Sequence, residues 1–547
     1  MTDLVTAPVA GAGGHRSAVL DDAHVGDIRG AFGTIGQYDT GARTGLTPKL
    51  KTLLAVVGPG LIVMCGDNDA GAFSTYGQAG QNYGTSLLWV LLLLVPVLYV
   101  NQEMVARLGA VTGVGHGKLI LERFGGFWGA FSVIDLFLLN ALTLVTEFIG
   151  ITLAVGYLGL PKAPSILAAA AVVIGAASTG SFRRFERVAM LLCFGSLILI
   201  PIAFVLHPAA QQMASGFLVP TMPGGPSQLS TVMLLVIGLV GTTVAPWQLF
   251  FQQSYVIDKR ITPRFLKYEK ADLWIGIAVV VVGAAALIGV ADAATAGTAA
   301  HGGFHDAAGL AGAIAAKGGH VVGILFAIAL LDASIIGAFA VSLSTAYAIG
   351  DVFGVNHSLH RGVKQAKGFY GVYVGVIALA AAVVLIPNAP LGLITNGVQA
   401  MAGVLLPSAS VFLLLLCNDK EVLGPWVNGR RTNLFTATVL GVLVMLSVVL
   451  TSSVLFPAIS AGQIVGIVFG CVAIGLVVAG YALRNRGRAV AIDRTGAEDW
   501  RMPPLAELGK TELTKGKRIG MSALRGYLVV SAMLVVVKVV ELSLASH

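Results

Sequence analysis

The chain has 547 residues, of which 56% are hydrophobic and only 11% charged, with a mean hydropathy of +0.84 and a formal net charge of +8. Soluble domains carry about a quarter charged residues, so this composition excludes a water-soluble fold. The positive charge sits in basic loops between apolar runs, among them Arg183, Arg184 and Arg187, the stretch from Lys259 to Lys270 and that from Arg484 to Lys517, and it calls for no nucleic-acid partner.

Residues 1–50 are rich in Gly, Ala and Asp without an apolar run, and read as a disordered cytosolic tail and not as a signal peptide. Beyond them, apolar runs of about 20 residues recur, the length a bilayer requires. They predict an all-α integral membrane protein with thirteen spans, near 53–79, 84–106, 127–158, 164–181, 188–206, 230–256, 272–294, 320–350, 368–387, 391–417, 433–455, 461–483 and 526–544. With a cytoplasmic N-terminus, every Lys and Arg except Lys162, Lys317 and Lys538 falls in the tail or a cytoplasmic loop, as expected of a multi-pass plasma-membrane protein. The predicted organisation is a transporter core over 51–455, with repeats at about 51–206 and 230–417 and then span eleven, followed by further helices over 456–547. The basic loop 484–525 in that last part either lies against anionic lipid or is solvated. Cys65, Cys193, Cys417 and Cys471 are far apart and show no CxxC spacing, so neither a disulfide nor a structural zinc site is expected.

Two spans carry residues that a lipid-facing helix avoids. The first reads GPGLIVMCGDNDAGAFSTYGQAG, with Asp67, Asn68, Asp69 and Gly71 inside an apolar run. The sixth reads VGTTVAPWQLFFQQSYVIDK, with Pro246 in mid-span, Trp247 beside it, and Gln248, Gln252 and Gln253 beyond. A charge at membrane depth costs about 2.5–3.5 kcal/mol, so the two aspartates mark a cavity or pathway. Spans one and six hold the same place in spans 1–5 and 6–10, and five spans per repeat give the two opposite orientations. This predicts an inverted-repeat (5+5) transporter fold with broken helices 1 and 6 and a site at the bilayer midplane. Asp135, Asn140, Asp292, Asp332 and Ser334 are read as helix-to-helix hydrogen-bonding groups or vestibule lining. His301 and His305 are read as a solvated external loop.

Several further stretches stand in a recognisable order: GPG at 58–60 through Gly80, LLWVLLLLVP and ARLGAVTG in span two, Glu147-Phe148-Ile149-Gly150 in span three, FAIALL in span eight, Gln399 eight residues before Pro407, and CNDKEVLGPWVN at 417–428. On these residues the chain resembles the Nramp family of divalent-metal transporters over about 50–455, and is most similar to its magnesium-transporting branch. The family's metal motif in the first break is Asp-Pro-Gly-Asn. The corresponding stretch here, Asp69-Ala70-Gly71-Ala72, keeps the aspartate and lacks the asparagine. In span six the family's Met-Pro-His-Asn is replaced by Ala245-Pro246-Trp247-Gln248, which has no sulfur donor. The resemblance thus implies Asp69, the carbonyl of Gly66 and Gln399 as ligands, with Ala72 and Ala245 at positions where a donor is lost.

Carboxylate, carbonyl and water ligands suit magnesium, calcium or manganese, and magnesium commonly keeps several of its waters. The loss of two donors therefore predicts a wider site for a hydrated hard cation. Asp67 either hydrogen-bonds the broken backbone or joins the ion's outer shell. Family members carry an aspartate three residues before the glutamate matched by Glu147, and two histidines in span six; here Leu144, Trp247 and Gln252 stand in those places, and none titrates near neutral pH. Glu147 is read as an isolated structural carboxyl group beside the pathway. A potential of 100 mV is worth about 4.6 kcal/mol for a divalent cation, enough to drive uptake without protons. The expectation is a magnesium importer working by alternating access without proton coupling, the alternative a proton-coupled manganese or iron importer, and a different class a metal-binding membrane sensor. The expected partners are the divalent metal substrate and the lipid bilayer, with no cofactor. No Ser/His or HExxH arrangement points to an enzyme.

Overall fold

The computed structural model describes residues 21–386, 391–456, 459–484, 492–509 and isolated positions between 511 and 533. Strands β1 (Ile28–Arg29) and β2 (Thr34–Ile35) form an antiparallel hairpin that pairs Ile28 with Ile35. The first helices are α1 (Leu46–Val56), α2 (Pro59–Gly66), α3 (Ala70–Tyr83), α4 (Leu88–Thr112), α5 (His116–Phe124), α6 (Gly126–Tyr157) and α7 (Lys162–Ala177). There follow α8 (Phe182–Gly195), α9 (Leu199–Leu206), α10 (Ala210–Leu218), α11 (Gly225–Thr243), α12 (Pro246–Asp258), α13 (Leu266–Thr295) and α14 (Ala307–Gly318). The last are α15 (His320–Phe353), α16 (Lys367–Val384), α17 (Leu391–Cys417), α18 (Lys420–Leu423), α19 (Arg430–Leu455) and α20 (Ala461–Arg484).

Among the described residues nine helices are long and apolar enough to cross a membrane, or ten when α1 and α2, bent by 52°, count as one span. Thirteen were expected. Span four is the shorter helix α7 of 16 residues, ended at Ala177 by the Ser178-Thr179-Gly180 turn. Span twelve is α20, 24 residues long, within which the apolar stretch among the described residues is Gly462–Val477. Span thirteen, at 526–544, falls largely outside the described residues.

Burial separates the centre of the bundle from its rim. The window spanning α11 and α12 is 94% buried, whereas that of Phe182–Leu206 is only 28% buried and presents Leu191, Phe194 and Phe204 outward. A helix apolar on all sides yet buried by its neighbours occupies the protein interior, and one apolar on its outer face meets lipid. Around the central span, α15 packs on α6, α17 on α11, and α13 on both α2 and α3.

Residues from Asp21 onward are folded, against the expectation of a tail reaching to residue 50. The Ala31 N–H donates to Glu186, Arg260 donates to the Ala23 carbonyl at 2.7 Å, and Arg361 pairs with Asp21 at 2.6 Å. The reason is tertiary. The segment has no apolar run of its own, but its polar groups find buried partners on α8 and in the loops after α12 and α15. Residues 492–509 of the basic stretch are likewise packed on the bundle, where Trp426 donates to the Ala497 carbonyl at 2.8 Å and Arg264 pairs with Asp499 at 3.1 Å.

Candidate functional site

The first span is interrupted twice, each time for a local reason. Gly58 takes φ 153°, and Pro59 at the first position of α2 has no N–H to continue the preceding helix. The freed backbone groups meet Asp272 of α13, whose Oδ2 accepts from Gly58 (3.1 Å) and Gly60 (2.7 Å) and whose Oδ1 accepts from Leu61 (3.3 Å). The second interruption runs from Asp67 to Asp69. Asp69 is extended (φ −77°, ψ −169°), and its Oδ1 accepts the Ala72 N–H at 2.9 Å, making it the N-cap of α3. The sixth span breaks at Val244 and Ala245, where Pro246 opens α12 and no side chain caps the new N-terminus.

Gln248 joins the two breaks. Its Nε2 donates to Asp67 Oδ1 and to the Thr243 carbonyl at 3.2 Å, and its Oε1 accepts from Gln102 of α4 at 2.6 Å. Tyr76 and Thr243 share a 2.7 Å hydroxyl contact that ties α3 to α11. The carbonyl ends of α2 and α11, each the negative end of a helix dipole, therefore meet beside Asp67. From α6, Glu147 accepts the Ala70 N–H at 3.2 Å, and its carboxyl group lies beside the Asp69 side chain, both against Gly337. From α17, the Gln399 amide lies so close to Gly71 that a Cβ there would collide with it. Glycine at 71 is thus what lets α17 reach the break.

Asp67 Oδ2, Glu147 Oε1 and Gln399 Nε2 are buried without a protein hydrogen-bond partner. Each such atom costs about 1–3 kcal/mol when nothing satisfies it. Turning the Gln399 amide over presents Oε1 at the same place, an oxygen donor for a cation. Among the described residues no three His, Cys, Asp or Glu side chains lie close enough to hold a metal ion, His301 and His305 included. A cation at the breaks would therefore depend on backbone carbonyls and amide oxygens beside the carboxylates.

The structure brings together Gly66, Asp67, Asp69, Gly71, Glu147, Gln248 and Gln399, with Ala72 bound to Asp69 through its N–H. Ala245 and Pro246 form the opening of α12. Asn68 faces away, its Nδ2 towards the Val280 carbonyl of α13 at 3.5 Å. Two expectations change. Glu147 is not isolated, because α6 passes directly beside Asp69. The site is not simply widened either: the Trp247 indole packs on Gly66, where a Cβ would lie 3.2 Å from its Cη2, and Trp247 is 1% exposed. Asp272, Gln102 and Thr243 escaped sequence reasoning. For Asp272 the signal was an acid at the head of an apolar span; the partners of the other two are set only by packing. Asn140 donates to Thr345 of α15 at 3.0 Å, a helix-to-helix bond as expected, whereas Ser334 returns to the Leu330 carbonyl of its own helix at 2.6 Å.

Residues 60–453 match the model of the family described as natural resistance-associated macrophage protein-like, Nramp. The chain belongs to the Nramp family. Among its relatives is the divalent metal cation transporter MntH of Ralstonia nicotianae, 29% identical over 409 residues, which cover 71% of this chain and 88% of that protein. The MntH of Burkholderia ambifaria is 29% identical over 326 residues, covering 55% and 69%. A crystal structure of the Eremococcus coleocola manganese transporter aligns with a TM-score of 0.59 at 19% identity, over 81% of this chain and 96% of that one. The fold of this Nramp chain is thus that of an all-helical, multi-pass membrane transporter with a bent first helix pair, and the protein is not an enzyme.

Proposed function

We propose that this Nramp chain moves a divalent metal cation across the membrane through the space between its two broken spans, by alternating access. The observation that carries the reading is the convergence on that space of Asp69, Asp67, Glu147 and Gln399 with the carbonyl ends of α2 and α11. A divalent charge there offsets the repulsion between two ionised carboxylates and gives the unpaired oxygens a partner. The breaks are the matched helices of two inverted repeats, about 51–206 and 230–417, in a plasma-membrane protein with a cytoplasmic N-terminus.

The relatives' names, divalent metal cation transporter and manganese transporter, favour manganese as cargo, and oxygen donors accept it. Magnesium is a second reading with an observation of its own: Ala72 and Ala245 offer no side-chain donor, so water completes the shell, and magnesium keeps its waters. Glu147 is the one titratable group retained among the family's proton-handling positions, and its Oε1 meets no further protein partner, which supports movement driven by membrane potential alone.

Uptake of manganese and magnesium, measured side by side in proteoliposomes, tests the reading. Entry of either ion is expected, and failure of both would leave a metal-binding sensor. Introducing Ala72→Asn with Ala245→Met adds two donors, one of them soft, and is expected to shift preference towards manganese. An unchanged ratio would remove the basis of the magnesium reading.

A further inference from the structure

Away from the helix breaks, a cavity of about 370 Å³ opens between the second half of α4, the start of α13, the 426–429 loop and the first turns of α19, at the end of the bundle that carries the basic loops. Arg107, Lys270, Arg431 and Arg494 line it against a single carboxylate, Glu103. That carboxylate is already engaged on both oxygens, by Arg107 at 3.0 Å and Lys270 at 2.9 Å. The cavity therefore carries a surplus of positive charge that no side chain of its own wall neutralises.

Three groups of the wall are built to donate. The Arg107 guanidinium is fixed by the Trp426 carbonyl, by Glu103 and by Asn428 Oδ1 at 2.6 Å, yet its Nε, buried with the rest of the side chain, has no partner. The Thr436 hydroxyl, fully buried in the second turn of α19, has none either. The 26-residue α19 begins behind Gly429, which supplies no side-chain cap, so its first N–H groups and the positive end of its dipole face the same region. Paired donors at a helix N-terminus beside arginine are the chemistry that binds a phosphate group.

We propose that this cavity holds the phosphate of an anionic phospholipid headgroup. The lipid source is favoured over the free ion by the apolar residues flanking the cavity. Phe435 in the cavity wall is 47% exposed, the adjoining Leu434 is 62% exposed, and Tyr99 stacks on the half-exposed Trp274 at 4.8 Å between ring centroids. Tyr and Trp gather at the headgroup level of a bilayer, where acyl chains can run along the neighbouring apolar side chains.

The test uses the full chain purified in neutral detergent and its Arg431→Ala/Thr436→Val variant, compared by native mass spectrometry with equimolar phosphatidylglycerol and phosphatidylcholine. The wild type is expected to retain phosphatidylglycerol preferentially, and the variant to lose that preference by about fivefold or more, the equivalent of one basic contact to an anionic lipid. Equal retention of the two lipids, or a preference that the variant keeps, would overturn the site. In a second arm, thermal unfolding in lipid-free detergent is followed with inorganic phosphate and with phosphatidylglycerol. The lipid is expected to raise the wild-type transition and millimolar phosphate to leave it unmoved. Stabilisation by phosphate that the lipid does not exceed would overturn the lipid assignment in favour of the free ion.

Discussion

Asp69 caps α3 through Oδ1 and its side chain lies next to Glu147, so one side chain holds the break open and supplies its charge. The two duties separate by substitution. In Asp69→Asn the amide oxygen still accepts the Ala72 N–H, but the negative charge is gone. Divalent uptake is expected to fall by at least about tenfold to a hundredfold, with the unfolding temperature close to that of the wild type. Asp69→Ala loses the cap as well and is expected to cost about 1 kcal/mol of stability in addition. Near-normal uptake by a well-folded Asp69→Asn variant would show that the ion does not use this carboxylate. At the same scale, the 417–428 motif has a structural account. Asp419 pairs with Arg123 at 2.6 Å and Asn428 with Arg107 at 2.6 Å, which pins the loop after α17 to α4 and α5.

At the scale of elements, the junction of α1, α8 and α12 is held by a pair of charges removed from solvent. Lys259, just past α12, donates to Glu186 of α8 at 2.6 Å and to the Val57 carbonyl at 2.7 Å, and Glu186 in turn receives the Ala31 N–H of the N-terminal hairpin. Both side chains are fully buried. One ion pair thus caps the end of α1, meets the first bend and fastens the hairpin. Removing one partner leaves an uncompensated charge, which costs about 3–5 kcal/mol, whereas replacing both by apolar residues of similar size is often neutral. Lys259→Met is accordingly expected to lower the unfolding midpoint in detergent sharply, and Lys259→Met/Glu186→Leu to recover most of the loss. Equal loss in the single and double variants would mean that the hairpin's N–H bond matters more than the pair.

For the whole molecule, the question is what crosses with the metal. Leu144, Trp247 and Gln252 occupy the positions at which the family resemblance leads one to expect titratable groups, and the route beyond Glu147 offers no hydrogen-bonded side chain to its Oε1. Metal entry into liposomes loaded with a pH dye, with potassium and valinomycin setting the potential, is expected to leave the internal pH unchanged and to follow the potential. About 4.6 kcal/mol per divalent ion at 100 mV is sufficient drive. Acidification that tracks entry and disappears in Glu147→Gln would sink the uncoupled mechanism and assign the proton to the Asp69–Glu147 pair.

Composition and the recurrence of apolar runs were enough to establish a multi-pass helical membrane protein, because a bilayer imposes length and hydropathy on each span independently of its neighbours. The broken first and sixth spans were legible for the same local reason: Asp, Gly and Pro act on the backbone within a turn of where they stand. The sequence could not show that Glu147 lies against Asp69, that Trp247 covers Gly66, that Asp272 supplies the cap for α2, or that residues 21–45 fold onto α8. Each of these depends on which helix passes beside which, and helix packing is decided by side chains far apart in the chain. The cavity at the start of α19 belongs to the same class, since its donors come from α4, α13 and α19, and no periodicity in any one of them announces the others.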